Sequence, residues 1–308
     1  MKVLNSNFLS KEGTKINYLC WSEENPTKDV LVLVHGMAEH IGRYDEVGRY
    51  FASKGYKVYG NDHIGHGASI DAEHPLGYFG ENNSGGEVFK EDLKTFINLI
   101  RQDNPDKKIY LLGHSMGSFI VRIFMMDYKD MVDGVILCST TGPQPMLPMG
   151  IALTKSMIKI KGPKYHSEFI NKIAFGAYNK KTEKKTPVDW LNRDEKAVQT
   201  YIDDALCGYL YSLRGYLDMF EMTKKCTSED FFDSYPKNIP LMFISGNGDP
   251  IGEYLKGVSK TVEEIKKRGV EPKVIFYKNG ERHELLKELN KTDIYEDIIK
   301  FMDRCNLA

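Results

Sequence analysis

The chain has 308 residues, 41% of them hydrophobic and 28% charged, which is too apolar for intrinsic disorder and too long for a disulfide-stapled mini-domain. Lys and Arg number 42 against 43 Asp and Glu, so the net charge of −1 offers no overall field for nucleic acid. The five cysteines are odd in number, scattered and never spaced as Cys-x-x-Cys, which argues against a disulfide framework or a zinc site.

Residues 2–9 and 15–21 alternate apolar and polar side chains and predict an antiparallel start. Val30–Val34 is a continuous Val and Leu run, as expected of a strand covered on both faces in a mostly parallel sheet. Runs at 109–112, 135–138 and 241–244 share that character, whereas 56–59 and 274–277 are less apolar and are expected nearer the sheet edges. Helix-period segments lie between them at 44–54, 88–101, 118–128, 254–268 and 294–305. Strand followed by helix, repeated, predicts a doubly wound α/β sheet of about eight strands with its ligand site at the carboxyl ends of the strands.

The alternation stops between about Pro143 and Phe232, where the pattern is helical and bounded by prolines. The expected organisation is therefore a core from 1–142 and 233–308 split by a helical cap over 143–232. Residues 151–196 carry eleven Lys and Arg against five acids, a local charge of +6. Met146, Leu147, Met149, Ile151, Leu153, Met157 and Ile158 beside these lysines suit brief contact with an anionic lipid surface, or equally an ordinary solvated amphipathic helix. No window reaches the roughly 18 apolar residues of a spanning helix, and residues 1–9 lack an apolar signal core. A cytoplasmic protein, at most peripheral at a membrane, is the expectation.

Gly113-His114-Ser115-Met116-Gly117 matches G-x-S-x-G between a predicted strand and a predicted helix, the context in which a sharp turn lifts a serine hydroxyl above the sheet. Ser115 is thus the candidate nucleophile, with Gly113 and Gly117 needed for the turn. A serine needs a base, and in this arrangement the order along the chain is nucleophile, acid, histidine. Of the eight histidines, six lie before or beside Ser115 and His166 falls in the cap, which leaves His283. The acid should follow a late strand, and Asp249 in Gly-Asn-Gly-Asp-Pro does so, with Glu253 a weaker alternative. An oxyanion requires fixed donors, expected at the backbone N–H of Met116 and of Met37, after His35-Gly36. Asn61 to Gly67 is dense in Asp and His, but no matching shell completes a metal site, and neither metal nor cofactor is expected.

His35-Gly36-Met37-Ala38-Glu39-His40 with Arg43-Tyr44, Asp62-His63-Ile64-Gly65-His66-Gly67, Gly113 to Gly117, Gly246-Asn247-Gly248-Asp249 and His283 resemble, in that order, the monoacylglycerol lipase and lysophospholipase branch of the α/β-hydrolases. Where that family's first loop often reads His-Gly-x-Gly-Glu-His, this chain has Ala38. The resemblance implies an α/β-hydrolase fold, a Ser115, Asp249 and His283 triad, Met37 and Met116 as oxyanion donors, a helical cap over an acyl-chain tunnel, and a small lipid ester as substrate. A short-acyl esterase or a proline-type aminopeptidase on the same fold stays open, with Glu221, Glu229 and Asp230 as carboxylates that an aminopeptidase would need, as does a non-catalytic receptor.

Overall fold

The computed structural model describes residues 1–81 and 86–306. Eight strands form one sheet: β1 (Lys2–Leu9), β2 (Lys15–Ser22), β3 (Val30–Val34), β4 (Lys57–Asn61), β5 (Ile109–His114), β6 (Gly134–Cys138), β7 (Leu241–Gly246) and β8 (Lys273–Tyr277), in the order β1-β2-β4-β3-β5-β6-β7-β8. The first hairpin is antiparallel and β2 meets β4 antiparallel. From β4 onward every pairing is parallel, with Val32 opposite both Tyr59 and Leu111.

The Val30–Val34 run is buried at all five positions because the sheet has two covered faces. Alternation sends Val30, Val32 and Val34 to one layer and Leu31 and Leu33 to the other. Ile109, Leu111, Val135, Leu137, Leu241 and Phe243 join the first layer, while Leu112, Ile136, Met242 and Ile244 join the second. Helices α2 (Glu87–Asp103) and α3 (Met116–Asp127) cover the first face, and α1 (Asp45–Ser53) with the C-terminal helix Lys291–Cys305 covers the second. In α2, Val88, Phe89, Leu93, Phe96, Ile97 and Ile100 are buried at three- and four-residue spacing, the stripe an amphipathic helix presents to a core.

One placement differs from the sequence expectation. Strand β4 is interior, between β2 and β3, and Val58 to Asn61 are buried. Lys57 dilutes the apolar signal of the 56–59 run, and the strand continues into Gly60, where a Cβ would lie 2.3 Å from the Ile41 side chain. Strand β8 does lie at the edge, where its side chains are only partly covered.

Between β6 and β7 the chain forms α4 (Leu147–Lys161), α5 (Glu168–Phe175), α6 (Glu195–Asp203), α7 (Leu213–Cys226) and α8 (Glu229–Ser234), with no strand among them. The starts of α5 to α8 are set by polar caps: Ser167, Asp194, Ser212 and Ser228 each accept from a backbone N–H of the following turn, whereas α4 starts with Pro148 in its first turn. Helix α7 packs on both α3 and α4, which seats this segment over the helix that follows β5. The remaining helices are α9 (Lys256–Lys267) and α10 (Lys291–Cys305). Among the described residues no helix is long and apolar enough to cross a membrane.

Close backbone approach fixes the turn after β5. A Cβ on Gly117 would sit 2.0 Å from the Val34 carbonyl oxygen, and one on Gly113 2.6 Å from that of Gly117. Both clashes are with backbone, so relief requires moving α3 away from β3. Gly117→Ala is expected to destabilise the fold by about 3 kcal/mol or to prevent folding, as overpacking against backbone does; urea unfolding midpoints of the purified variant and parent measure it, and equal midpoints would contradict this packing.

Candidate active site

Ser115 occupies the single position between β5 and α3 and has φ 52° and ψ −121°. A non-glycine residue held there stores on the order of 1–3 kcal/mol of strain. Its backbone is pinned on both sides: the Ser115 N–H donates to Cys138 O at 3.0 Å, and Ser118 donates to Ser115 O through its N–H at 2.8 Å and its hydroxyl at 2.6 Å. Ala38, Ser139, Glu253, Tyr254 and Leu255 also have positive φ, all in turns that follow strands β3, β6 and β7, and Lys184, in the helical segment, is the remaining non-glycine case among the described residues. Strained backbone is thus concentrated at one end of the sheet.

Asp249 follows β7, and its Oδ2 and Oδ1 lie 3.0 and 3.1 Å from Nδ1 of His283. A carboxylate only accepts, so Nδ1 carries the proton and Nε2 keeps its lone pair. Both side chains are buried. Asp249 is itself held by the Ile251 N–H at 2.9 Å, and it is Asp249 rather than Glu253 that meets the imidazole. The His283 ring lies 4.9 Å from the His114 ring and 5.2 Å from that of Trp190. His114 Nε2 faces the His283 carbonyl at 3.2 Å, a contact in which the ring donates. The chain around His283 is anchored to the helical segment, since Glu284 N donates to Leu191 O at 2.7 Å and His283 N to Trp190 O at 3.4 Å. Among the described residues, the Ser115 hydroxyl has no hydrogen bond; such bonds commonly tighten only when a substrate is present.

Gly36 packs against the serine: a Cβ there would be 3.2 Å from Ser115 Cβ. The next residue is Met37. Neither the Met37 nor the Met116 N–H is hydrogen-bonded among the described residues, and Met116 opens α3, where first-turn amides lack intrahelical acceptors. Ala38, held at φ 49°, donates its N–H to Tyr211 OH at 3.2 Å and accepts from Tyr201 OH at 3.2 Å and from Gly208 N at 3.0 Å. The Met37 loop therefore takes its shape from residues of the helical segment.

Beneath this lies a buried ionic network that the sequence reading did not anticipate. Glu39 Oε1 accepts from Gly36 N at 2.7 Å and Tyr44 OH at 2.8 Å and lies 3.2 Å from His114 Nδ1. Arg43 Nη1 is 2.6 Å from both Glu39 Oε2 and Glu284 Oε1, and Lys287 Nζ is 3.6 and 3.3 Å from the same two carboxylates. Burial pushes the Glu39 carboxyl up, but Lys287, the His114 hydrogen bond and Arg43 together hold it well below the usual range. Glu284 is likewise lowered, burial being outweighed by Lys287 and Arg43. The signal available in the sequence was His-Gly-x-x-Glu-x-x-x-Arg together with Glu284 beside His283, but 241 residues separate Arg43 from Glu284.

The Asn61 to Gly67 stretch has a different fate from a metal shell. Asp62 Oδ1 accepts from Ile41 N at 2.7 Å and its Oδ2 from Ala68 N at 2.9 Å, so the carboxylate ties two loops together. His35, His63 and His66 cluster with ring centroids 4.1 to 5.9 Å apart. His35 Nδ1 bonds Gly36 O, His63 Nε2 bonds His35 O and His66 Nδ1 bonds Ile64 O, so each ring donates one hydrogen to a carbonyl. Burial pulls His63 down to about 4, and burial with the neighbouring His63 pulls His66 down to about 3.

Comparison with known proteins adds the following. A family model described as serine aminopeptidase, S33, matches residues 25–290. The monoacylglycerol lipase of Mycolicibacterium smegmatis is 32% identical over 155 residues, 50% of this chain, and the chain spans only about half of that relative's length, 53%. Phospholipase YtpA of Bacillus subtilis is 24% identical over 92% of this chain and 98% of its own length. The crystal structure of a highly thermostable carboxyl esterase from Bacillus coagulans superposes with a TM-score of 0.92 at 25% identity, covering 99% of each chain.

The histidine cluster has a measurable consequence. An unfolded histidine titrates near 6.5, so rings held neutral to about 4 and about 3 contribute stability that is complete above about pH 6.5 and is lost as pH falls toward those values. Urea unfolding should show stability falling from pH 7 to pH 5 by on the order of 2 kcal/mol per ring. His63→Gln should make that dependence shallower; a parent protein equally stable at both pH values would contradict the assignment.

Proposed function

Because the chain belongs to the serine aminopeptidase S33 family and has the α/β-hydrolase fold, we propose that it hydrolyses carboxylic esters through an acyl-enzyme on Ser115. The observation that carries this reading is the buried Asp249 and His283 pair, 3.0 Å apart, with the His283 ring 4.9 Å from that of His114, the residue before a serine at φ 52°. In this scheme Ser115 Oγ attacks the ester carbonyl as His283 Nε2 takes its proton. Charge developing on the carbonyl oxygen meets the free N–H groups of Met37 and Met116. The alcohol leaves with the proton from His283, and water repeats the sequence to release the acid. Asp249 keeps the Nδ1–H tautomer throughout. No metal or cofactor enters a step.

For the substrate we propose a monoacylglycerol or lysophospholipid, with residues 143–232 serving as a lid over the site. The relatives named a monoacylglycerol lipase and a phospholipase support a lipid ester. So does the surface of α4 and α5: Leu147, Ile151, Leu153, Met157 and Ile158 pack partly against the core, while Met149, Ile160, Phe169 and Ile173 are exposed beside Lys155, Lys159 and Lys172. An exposed apolar face rimmed by lysines suits docking at an anionic lipid surface. The aminopeptidase reading asks for carboxylates poised to hold an amine, yet Glu221 is paired with Lys155 at 2.7 Å and Glu229 with Arg268.

Ser115→Ala is expected to lower turnover of a lipid ester by about 10⁴-fold or more, and Asp249→Asn by a comparable factor through the wrong imidazole tautomer. Steady-state rates on monoacylglycerols, lysophospholipids, p-nitrophenyl esters and aminoacyl amides measure both the roles and the substrate. Undiminished turnover in purified Ser115→Ala would overturn the nucleophile, and preference for aminoacyl amides would overturn the lipid reading. Co-sedimentation should show more protein on vesicles containing anionic lipid than on neutral ones, reduced severalfold in Ile160→Asp with Phe169→Asp. Equal partitioning of parent and variant would remove the docking face.

A further inference from the structure

The loop after β3 and the turn after α6 bring together His40, Asp204 and Cys207, whose nitrogen, carboxylate oxygen and sulfur atoms all lie within 4.8 Å of one another. Among the described residues this is the one group of three or more such side chains so placed. We propose that His40, Asp204 and Cys207 form a zinc site that clips the helical segment to the loop carrying Met37.

The donor set is the first reason. A borderline-soft dication takes imidazole nitrogen, carboxylate oxygen and thiolate sulfur at about 2.0 to 2.3 Å in tetrahedral geometry. Such bond lengths put neighbouring ligand atoms roughly 3.3 to 3.8 Å apart, inside the span these three atoms already occupy. The His40 Nε2 to Asp204 Oδ2 separation is 2.8 Å, a hydrogen bond in which the ring donates. The Cys207 sulfur lies within 4.8 Å of a ring nitrogen of His40 and a carboxylate oxygen of Asp204. A dication placed among the three atoms would take the place of the hydrogen that His40 now gives Asp204.

The supporting structure is the second reason. Asp204 and Cys207 stand three residues apart in one turn, closed by Cys207 N donating to Asp204 O at 2.9 Å. Leu206 N donates to Asp204 Oδ1 at 2.9 Å, which fixes one carboxylate oxygen and leaves Oδ2 facing His40. An outer bond of this kind orients a metal ligand. The next residue, Gly208, is tied to Ala38 O at 3.0 Å, so the turn and the His40 loop are already held in register without an ion.

Charge and access are consistent with a cation. The side chains of His40 and Asp204 are 18% and 27% exposed, enough for an ion to enter from solvent. Zinc binding exchanges the thiol proton for the metal: the Cys207 S–H bond breaks, a zinc–sulfur bond forms and the proton passes to solvent, while the His40 ring exchanges its Nε2 hydrogen for one on Nδ1, which frees the Nε2 lone pair for the ion. The resulting thiolate and Asp204 carboxylate balance the two charges of the ion. Arg43 and Lys287 are the cations near Cys207, and both are already paired with Glu39 and Glu284. A fourth tetrahedral position is left for water, as in three-ligand zinc sites.

The test uses the full-length protein, freed of metal with a chelator. Co²⁺ should give a thiolate-to-metal charge-transfer absorption that saturates at one equivalent and is displaced by Zn²⁺. Calorimetric titration with ZnCl₂ should show one site, weakened at least about tenfold by Cys207→Ser and by His40→Gln, since even losses outside the ligand shell cost that much. Cys305→Ser, which alters another half-buried thiol, should leave band and affinity unchanged. Circular dichroism confirms that each variant is folded, and the conservative Asp204→Asn supplies a third ligand change if one is not. A charge-transfer band that survives Cys207→Ser, equal zinc affinity in parent and ligand variants, or the absence of saturable binding would each overturn the site. None of these readouts depends on ester hydrolysis.

Discussion

The buried carboxylate of Glu39 is the constraint around which the site is arranged. An ion removed from water must be met by opposite charge and hydrogen bonds, or folding loses several kcal/mol. Glu39 meets that demand from the Gly36 amide, the Tyr44 hydroxyl, Arg43, His114 and Lys287. Those partners come from the loop after β3, the residue before Ser115 and the segment just past His283. Satisfying one charge therefore fixes the relative positions of three chain segments distant in sequence. Arg43 extends the arrangement to Glu284, the neighbour of His283.

Backbone strain is the complement of that network. Ser115 and Ala38 both sit at positive φ, and each is held by bonds from outside its own turn: Cys138 for the serine, with Ser118 closing the turn from within, and Tyr211, Tyr201 and Gly208 for the alanine. Strain persists only where surroundings over-determine it. The parallel sheet supplies the rigid base, because β3, β5 and β6 are buried at every position and cannot shift independently. The helical segment supplies the rest through Tyr201, Gly208, Tyr211, Trp190 and Leu191, so it acts on the geometry of the site.

Much of this was legible because it is local. Continuous apolar runs marked the central strands, three-and-four spacing marked α2, and glycines on either side of Ser115 marked a turn too tight for side chains. Strand β4 reads as peripheral because its 56–59 run carries Lys57 and is less apolar than the central runs, yet it lies between β2 and β3 and neighbours approach Gly60 so closely that a larger residue would not fit. Trp190 and Lys287 carried no periodicity or spacing of their own, and the spacing of Glu39 and Arg43 gave no sign of the pairing with Glu284. Their importance lies in contacts across the fold, as with Trp190 against His283 and Arg43 against Glu284.

By itself, then, the sequence determined the layered α/β architecture, the turn at Ser115 and the order Ser115, Asp249, His283, since these follow from patterns within a few residues and from chain order. Only the tertiary structure decided which charges face one another, that the His and Asp density near residue 63 resolves into neutral rings and a loop-tying carboxylate, and that His40 meets Asp204 and Cys207 across 164 residues. The physical reason is that burial and Coulomb interactions depend on distance in space, and distance along the chain does not encode it.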